Sequence, residues 1–179
     1  MENLLQTLNN IQPIIIFGML ITLWIVESFI PYFSPSPNRR KHRIRNLVIV
    51  FIAFVVNGLA GLYINELISF TETHHLGLLN LVHVPFAVSF IAGMLMIDLW
   101  DYGFHHLQHR VPLFWRFHRV HHSDTELDTS SSLRFHPGDV ILQTLGWTFM
   151  FPLLGISGAS FIIYFTFYLV LIFFQHANI

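Results

Sequence analysis

Three long apolar runs do most to decide what this chain can fold into. Ile11 to Tyr32, Leu47 to Phe70 and Leu81 to Leu99 are each close to the roughly 20 residues that carry a helix across the hydrocarbon core of a bilayer. Lipid offers no partner to backbone N–H and C=O groups, so such segments satisfy themselves as helices. Composition agrees. Charged residues make up 11% of the chain and hydrophobic residues 54%, whereas about 25% charged is usual for a soluble domain. The expected fold is therefore an all-α integral membrane helical bundle, a single domain over residues 1–179.

Between the runs the chain changes character. Residues 1–10 are polar and are expected at the membrane surface. Pro31, Pro35 and Pro37 close the first span, and the linker SPSPNRRKHRIR then carries five of the nine Lys and Arg residues. Asn57, Gly58 and Gly61 give the second span small and polar spots for helix packing. TETHHLGLLN reads as a short turn before the third span. The N-terminal membrane helices thus occupy 1–97, a polar island 98–138, and a C-terminal helical hairpin 139–179. Its limbs, Val140–Leu154 and Ser157–Phe174, are broken at Pro152–Gly155. The first limb is short for a full crossing, so the expectation is three full spans plus this hairpin. The first run precedes its basic cluster, the reverse of a secretory leader, and is expected to stay as an anchor.

Charge sets the expected orientation. The positive-inside rule places Arg39, Arg40, Lys41, Arg43 and Arg45 in the cytoplasm. Counting spans from there returns the island, with Arg110, Arg116, Arg119 and Arg134, to the same side. A net charge of −1 provides no basic field for nucleic acid, and none is expected as a partner. With no Cys in the chain, disulfides and thiolate ligands are excluded.

The island holds seven of the twelve histidines. His105 and His109 are four apart, while His118, His121 and His122 stand at i, i+3 and i+4. On a helix each group shares one face, so each aims its imidazoles at a common point. Neutral imidazole is the commonest protein metal ligand, and clustered His without Cys suits iron, zinc or copper better than calcium or magnesium. Asp101, one turn before His105, is a candidate to orient a ligating ring. His136 in Arg-Phe-His-Pro and His176 at the end of the last helix are further candidate ligands. His106 points elsewhere on its helix and reads as a surface residue. His42 belongs to the basic linker, and His74, His75 and His83 fall toward the far side of the membrane.

HHLQH and FHRVHHSD resemble the histidine boxes of the fatty acid hydroxylase/sterol desaturase superfamily, and the similarity extends over Asp98 to Asn178. His105 and His109 match its HxxxH box, and His118, His121 and His122 its HxxHH box. Arg134 to Pro137 match its Arg-Phe-His-Pro segment, and His176 and Asn178 its His-x-Asn element. The ordered set, with Pro-Leu-Phe-Trp-Arg between the boxes, carries the specificity. The resemblance implies two iron ions, with zinc as a substitute in purified protein, held by His105, His109, His118, His121, His122 and His176. His136, Asp101 and Asn178 would be ligands or orienting groups. It also implies O2-dependent hydroxylation or desaturation of a lipid drawn from the bilayer, with electrons from a cytochrome or ferredoxin/reductase-type donor protein. Such a donor could dock at Arg110, Arg116 and Arg119. The expected location is a bacterial inner membrane or the endoplasmic reticulum, with the histidine site on the cytoplasmic side. The family carries a third box, another HxxHH, beyond the element matched by His176. The six or seven histidines here are fewer than the family's set, so the expectation is either a fragment of a longer protein, the favoured reading, or a truncated relative with an incomplete site. The alternatives from other classes are a non-catalytic membrane protein with one structural zinc and a haem-binding protein.

Overall fold

The computed structural model describes residues 2–34, 37–82 and 85–179. Pro35 and His83, both singled out above, lie outside the described residues. The chain is 83% helical with no strands among the described residues. Its helices are α1 (Glu2–Phe29), α2 (Arg39–Thr73), a single turn α3 (Leu78–Leu81), α4 (Phe86–Arg110), α5 (Pro112–His122), α6 (Pro137–Leu154) and α7 (Gly158–His176), with a 3-10 turn at Thr129–Leu133 between α5 and α6.

Four segments are long and apolar enough to cross a membrane: Leu5–Phe29, Arg39–Leu81, Phe86–Arg110 and Gly158–His176. The second limb of the C-terminal hairpin therefore reaches full span length, and the shorter α6 is not among the four. Large side chains such as Phe17, Phe51, Phe54, Leu62, Leu95 and Phe149 stand exposed around the bundle. An apolar surface of that extent marks a face made for lipid.

Several element boundaries depart from the hydropathy reading. The polar residues after Met1 join α1. The basic cluster Arg39–Arg45 is not linker but the first two turns of α2, and α4 runs through Asp98 and Asp101 to Arg110 instead of stopping at Leu99. Hydropathy reports the solvent a side chain prefers, whereas helix continuity depends on backbone bonds that charged side chains do not interrupt. The hairpin break also moves, because α6 passes through Pro152 and ends at Leu154.

The helices pack with α2 along α6, and α7 against both α1 and α4. Ile64 and Ile68 of α2, Ile97 of α4, Met150 and Phe151 of α6, and Ile156 and Tyr164 form the shared core. At the end remote from the island, two glycines meet. Gly155 ends α6 with φ 72°, Gly77 has φ 94°, and a Cβ on Gly77 would lie 2.1 Å from the Gly155 nitrogen. No other residue fits that approach. Glu72 of α2 accepts from the Gly158 N–H at 2.9 Å, tying the start of α7 to the same end.

Candidate metal centre

The Arg-Val-Pro sequence builds the site's first feature. Val111 both ends α4 and precedes α5, with φ −89° and ψ 117°, and Pro112 is the first residue of α5. A residue before proline is driven out of the helical region, and proline is preorganised for a helix's first position. The chain therefore turns sharply and lays α5 back against α4, where Phe104 and Phe114 stack at 5.9 Å.

That turn brings the two histidine groups together. His105, His109, His118 and His122 each present a ring nitrogen, and these atoms all lie within 4.8 Å of one another. Within α4 the Nε2 atoms of His105 and His109 are 3.2 Å apart. Within α5 those of His118 and His122 are 3.0 Å apart. Across the turn, His105 faces His118 and His109 faces His122, each with centroids at 4.7 Å. His118 is buried, and the other three are exposed. Burial first, then the neighbouring rings of His118 and His109, hold His122 below the usual imidazole range.

Asp139, in the first turn of α6, supplies a carboxylate that hydropathy and spacing did not reveal. Its Oδ2 lies 3.1 Å from His118 Nδ1, and its Oδ1 accepts from Gln108 Nε2 at 2.6 Å. Both Asp139 and Gln108 are buried. A carboxylate beside Nδ1 accepts a hydrogen bond from the Nδ1–H and so leaves Nε2 with its lone pair facing the cluster. The signal available in the sequence was an acid placed just after a proline-started helix, 21 residues from the ring it orients.

His121 leaves the four-histidine cluster for a second position beside it. Its ring stacks on Phe135 with centroids 4.7 Å apart and planes 3° apart, and faces His176 of α7 at 5.0 Å. Burial first, then His176 and the other nearby imidazoles, lowers its pKa to about 3, so it is neutral at physiological pH. His121 Nδ1 is buried without a hydrogen-bond partner. His176 Nδ1 lies 2.9 Å from the Ile172 carbonyl, which assigns the proton to Nδ1 and frees Nε2.

The other expected participants stand elsewhere. Asp101 does not reach a histidine: its Oδ1 accepts from Gln143 Nε2 at 2.8 Å and Trp147 Nε1 at 2.9 Å, joining α4 to α6. His136 caps α6, its Nδ1 accepting from the Gly138 N–H at 2.9 Å. Asn178 is a strap, its side chain bonding both the N–H and the carbonyl of Phe33. His106 is exposed, as expected. His74, at the opposite end of α2, lies against Phe70.

The loop after α5 is held by a buried ionic network. Glu27 of α1 is fully buried, pairs with Arg39 and Arg43, and accepts from the Thr129 N–H and hydroxyl. Asp128 takes Arg43 Nε at 3.0 Å. Asp124 bonds His42, Asn46 and Ser131 and pairs with Arg134. Burial works against the Asp124 charge, but those hydrogen bonds outweigh it and hold the carboxyl well below its usual range. His42 is thus a clasp on the loop that follows the histidine helix α5 and not merely part of a basic stretch. A carboxylate inside an apolar run needs a partner, so Glu27 was the sequence signal for this network. These contacts bring the basic start of α2 to the same end of the bundle as the histidines.

Fold and site together define a multi-pass membrane protein carrying an imidazole-rich cluster at one end of its bundle. The family model for fatty acid hydroxylase matches residues 90–179, and the chain belongs to this family, within the fatty acid hydroxylase/sterol desaturase superfamily. No solved structure matches the chain. Membership implies oxidoreductase activity in general, and the family is generally iron-dependent.

Proposed function

We propose that the protein is a di-iron oxygenase that hydroxylates or desaturates a lipid. The observation that carries this reading is the convergence of four ring nitrogens, from two helices, within 4.8 Å. The donor set fits iron on chemical grounds. All its members are imidazoles, and the tautomer of His118 is fixed with its lone pair toward the others. His105, His109, His118 and His122 would hold one ion. His121 and His176 would contribute to a second, a role that matches the unpartnered Nδ1 buried on His121. Bound iron would supply the redox chemistry of O2 that no side chain here can perform.

The chain's own residues do the rest. Asp139 and Gln108 set the orientation of His118. Phe135 fixes the plane of His121, and the ionic network anchors the loop that follows. An open groove of about 420 Å³, lined by Trp115, Arg119, Val120, His122 and Ser123, adjoins the cluster and gives a lipid access to it. Arg110, Arg116 and Arg119 are exposed nearby and form the docking surface for an acidic electron-donor protein. The positive-inside rule puts this end of the bundle in the cytoplasm.

Metal analysis of purified protein, with mass spectrometry of lipids exposed to 18O2, tests the reading. About two irons per chain are expected, with either label in a hydroxylated lipid or a new double bond in the lipid. One tightly held zinc and no oxidised lipid after iron loading would replace it with a structural-zinc protein. A Soret band would replace it with a haem protein. Charge reversal at Arg110, Arg116 and Arg119 should slow electron transfer, and unchanged rates would remove the docking surface from the scheme.

A further inference from the structure

Between the last turns of α1 and the first turns of α2 lies an open groove of about 590 Å³, lined by Trp24, Arg39, Arg40, Arg43, Ile44 and Leu47. The α2 members are spaced so that they fall on one face of the helix. The chemistry of the groove is divided along its length. Guanidinium groups occupy one end, and Ile44 and Leu47 lead from them into Val48 and Phe51, which are exposed in the lipid-facing belt.

The charges at the polar end do not balance. Glu27 and Asp128 engage Arg39 and Arg43 from inside the protein. Arg40 is exposed, and no acid among the described residues pairs with it. No acidic residue lies in the first turn of α2, where the peptide dipoles add further positive potential. Trp24 lies under Arg43 at 4.5 Å, so the wall of the groove is aromatic as well as cationic. Surplus positive charge, next to an aliphatic floor that opens onto the lipid belt, complements a molecule with an anionic head and a hydrocarbon tail.

We propose that this groove binds an anionic phospholipid, its headgroup phosphate facing Arg40 and Arg39 and an acyl chain along Ile44 and Leu47. The bound lipid would press on the arginines that grip Glu27 and Asp128, and so steady the loop carrying Asp124 and Asp128 beside the histidine helices. A soluble phosphate would satisfy the cations but leave Ile44 and Leu47 uncovered. The lipid is therefore the occupant.

Thermal unfolding of the purified full chain in a neutral detergent tests this. Dioctanoyl phosphatidylglycerol, dioctanoyl phosphatidylcholine and inorganic phosphate would each be titrated. Phosphatidylglycerol should raise Tm saturably, while the other two leave it nearly unchanged. Arg40→Gln disrupts no ion pair among the described residues and should weaken the apparent affinity for phosphatidylglycerol roughly five-fold, the scale of one basic residue facing an anionic surface. Arg40→Lys should retain most of it. Arg45→Gln, on the same helix but outside the groove, should match the wild type. An equal response to phosphatidylcholine, a response to phosphate alone, or full affinity in Arg40→Gln would overturn the proposal.

Discussion

Replacing Asp139 by Asn tests whether the carboxylate sets the metal-binding tautomer of His118. The side chain is 4% exposed and accepts from two groups, Gln108 Nε2 at 2.6 Å and His118 Nδ1 at 3.1 Å. Asn has one accepting oxygen. If it stays on His118, Gln108 can rotate its amide and accept from the new NH2, so both hydrogen bonds survive and only the charge is lost. A hydrogen bond to a charged group is worth about 1.5–3 kcal/mol and a neutral one about 0.5–1.5. Only the His118 bond bears on the metal, so the loss there is about 1.2 kcal/mol, a factor of about eight in metal affinity. Asp139→Leu removes both acceptors and frees the ring to adopt the other tautomer, which places the proton on Nε2. For it a loss of about 100-fold is expected, the upper end of what outer-shell partners contribute. Cobalt or zinc titration of the metal-free protein in detergent measures both, with circular dichroism confirming that each variant keeps its helices. Binding by both variants as tight as the wild type's, or an Asn as damaging as Leu, would show that Asp139 does not set the His118 tautomer.

Three further outcomes follow from the same contacts. Glu27→Leu leaves Arg39 without its carboxylate and Arg43 with Asp128 alone, and should cost about 3 kcal/mol, seen as a lower Tm in the metal-free protein. His122→Ala should abolish tight binding at the four-histidine cluster while His106→Ala leaves it intact, and metal titration of the pair checks the assignment of faces. Gly77→Ala places a methyl against the Gly155 backbone. It should lower stability by about 1–3 kcal/mol for the strained φ alone, without changing metal affinity in whatever fraction remains folded.

What the sequence made legible was whatever depends on local spacing. The helical repeat fixes which side chains share a face, so the spacing brings His105 to His109 and His118 to His122, but it also assigns His121 to the same point, whereas His121 lies against Phe135 and His176. Lipid-facing runs could be recognised because bilayer thickness sets their length. The partners of Asp139 and Gln108, and the loop that Glu27 holds, were opaque for the opposite reason. Asp139 and Gln108 have partners 21 and 31 residues distant, which only the packing of α6 brings together, and Glu27 meets Thr129 across 102 residues although its arginines are 12 and 16 residues on. Asp101 stands one turn before His105, which makes it a candidate to orient a ligating ring, but adjacency on one helix says nothing about what a neighbouring helix offers. Gln143 and Trp147 of α6 offered more. His136 likewise had a nearer use, as the cap of the helix that Pro137 begins.

Because α4 passes without a break from its lipid-facing turns to His105 and His109, span and chemistry share one rigid rod. Adding or deleting one residue anywhere between Phe86 and His105 would swing the pair by about 100° and slide it about 1.5 Å along the axis. Length changes in that segment should therefore be tolerated only in whole turns, and a bilayer that forces α4 to tilt would move the imidazoles with it.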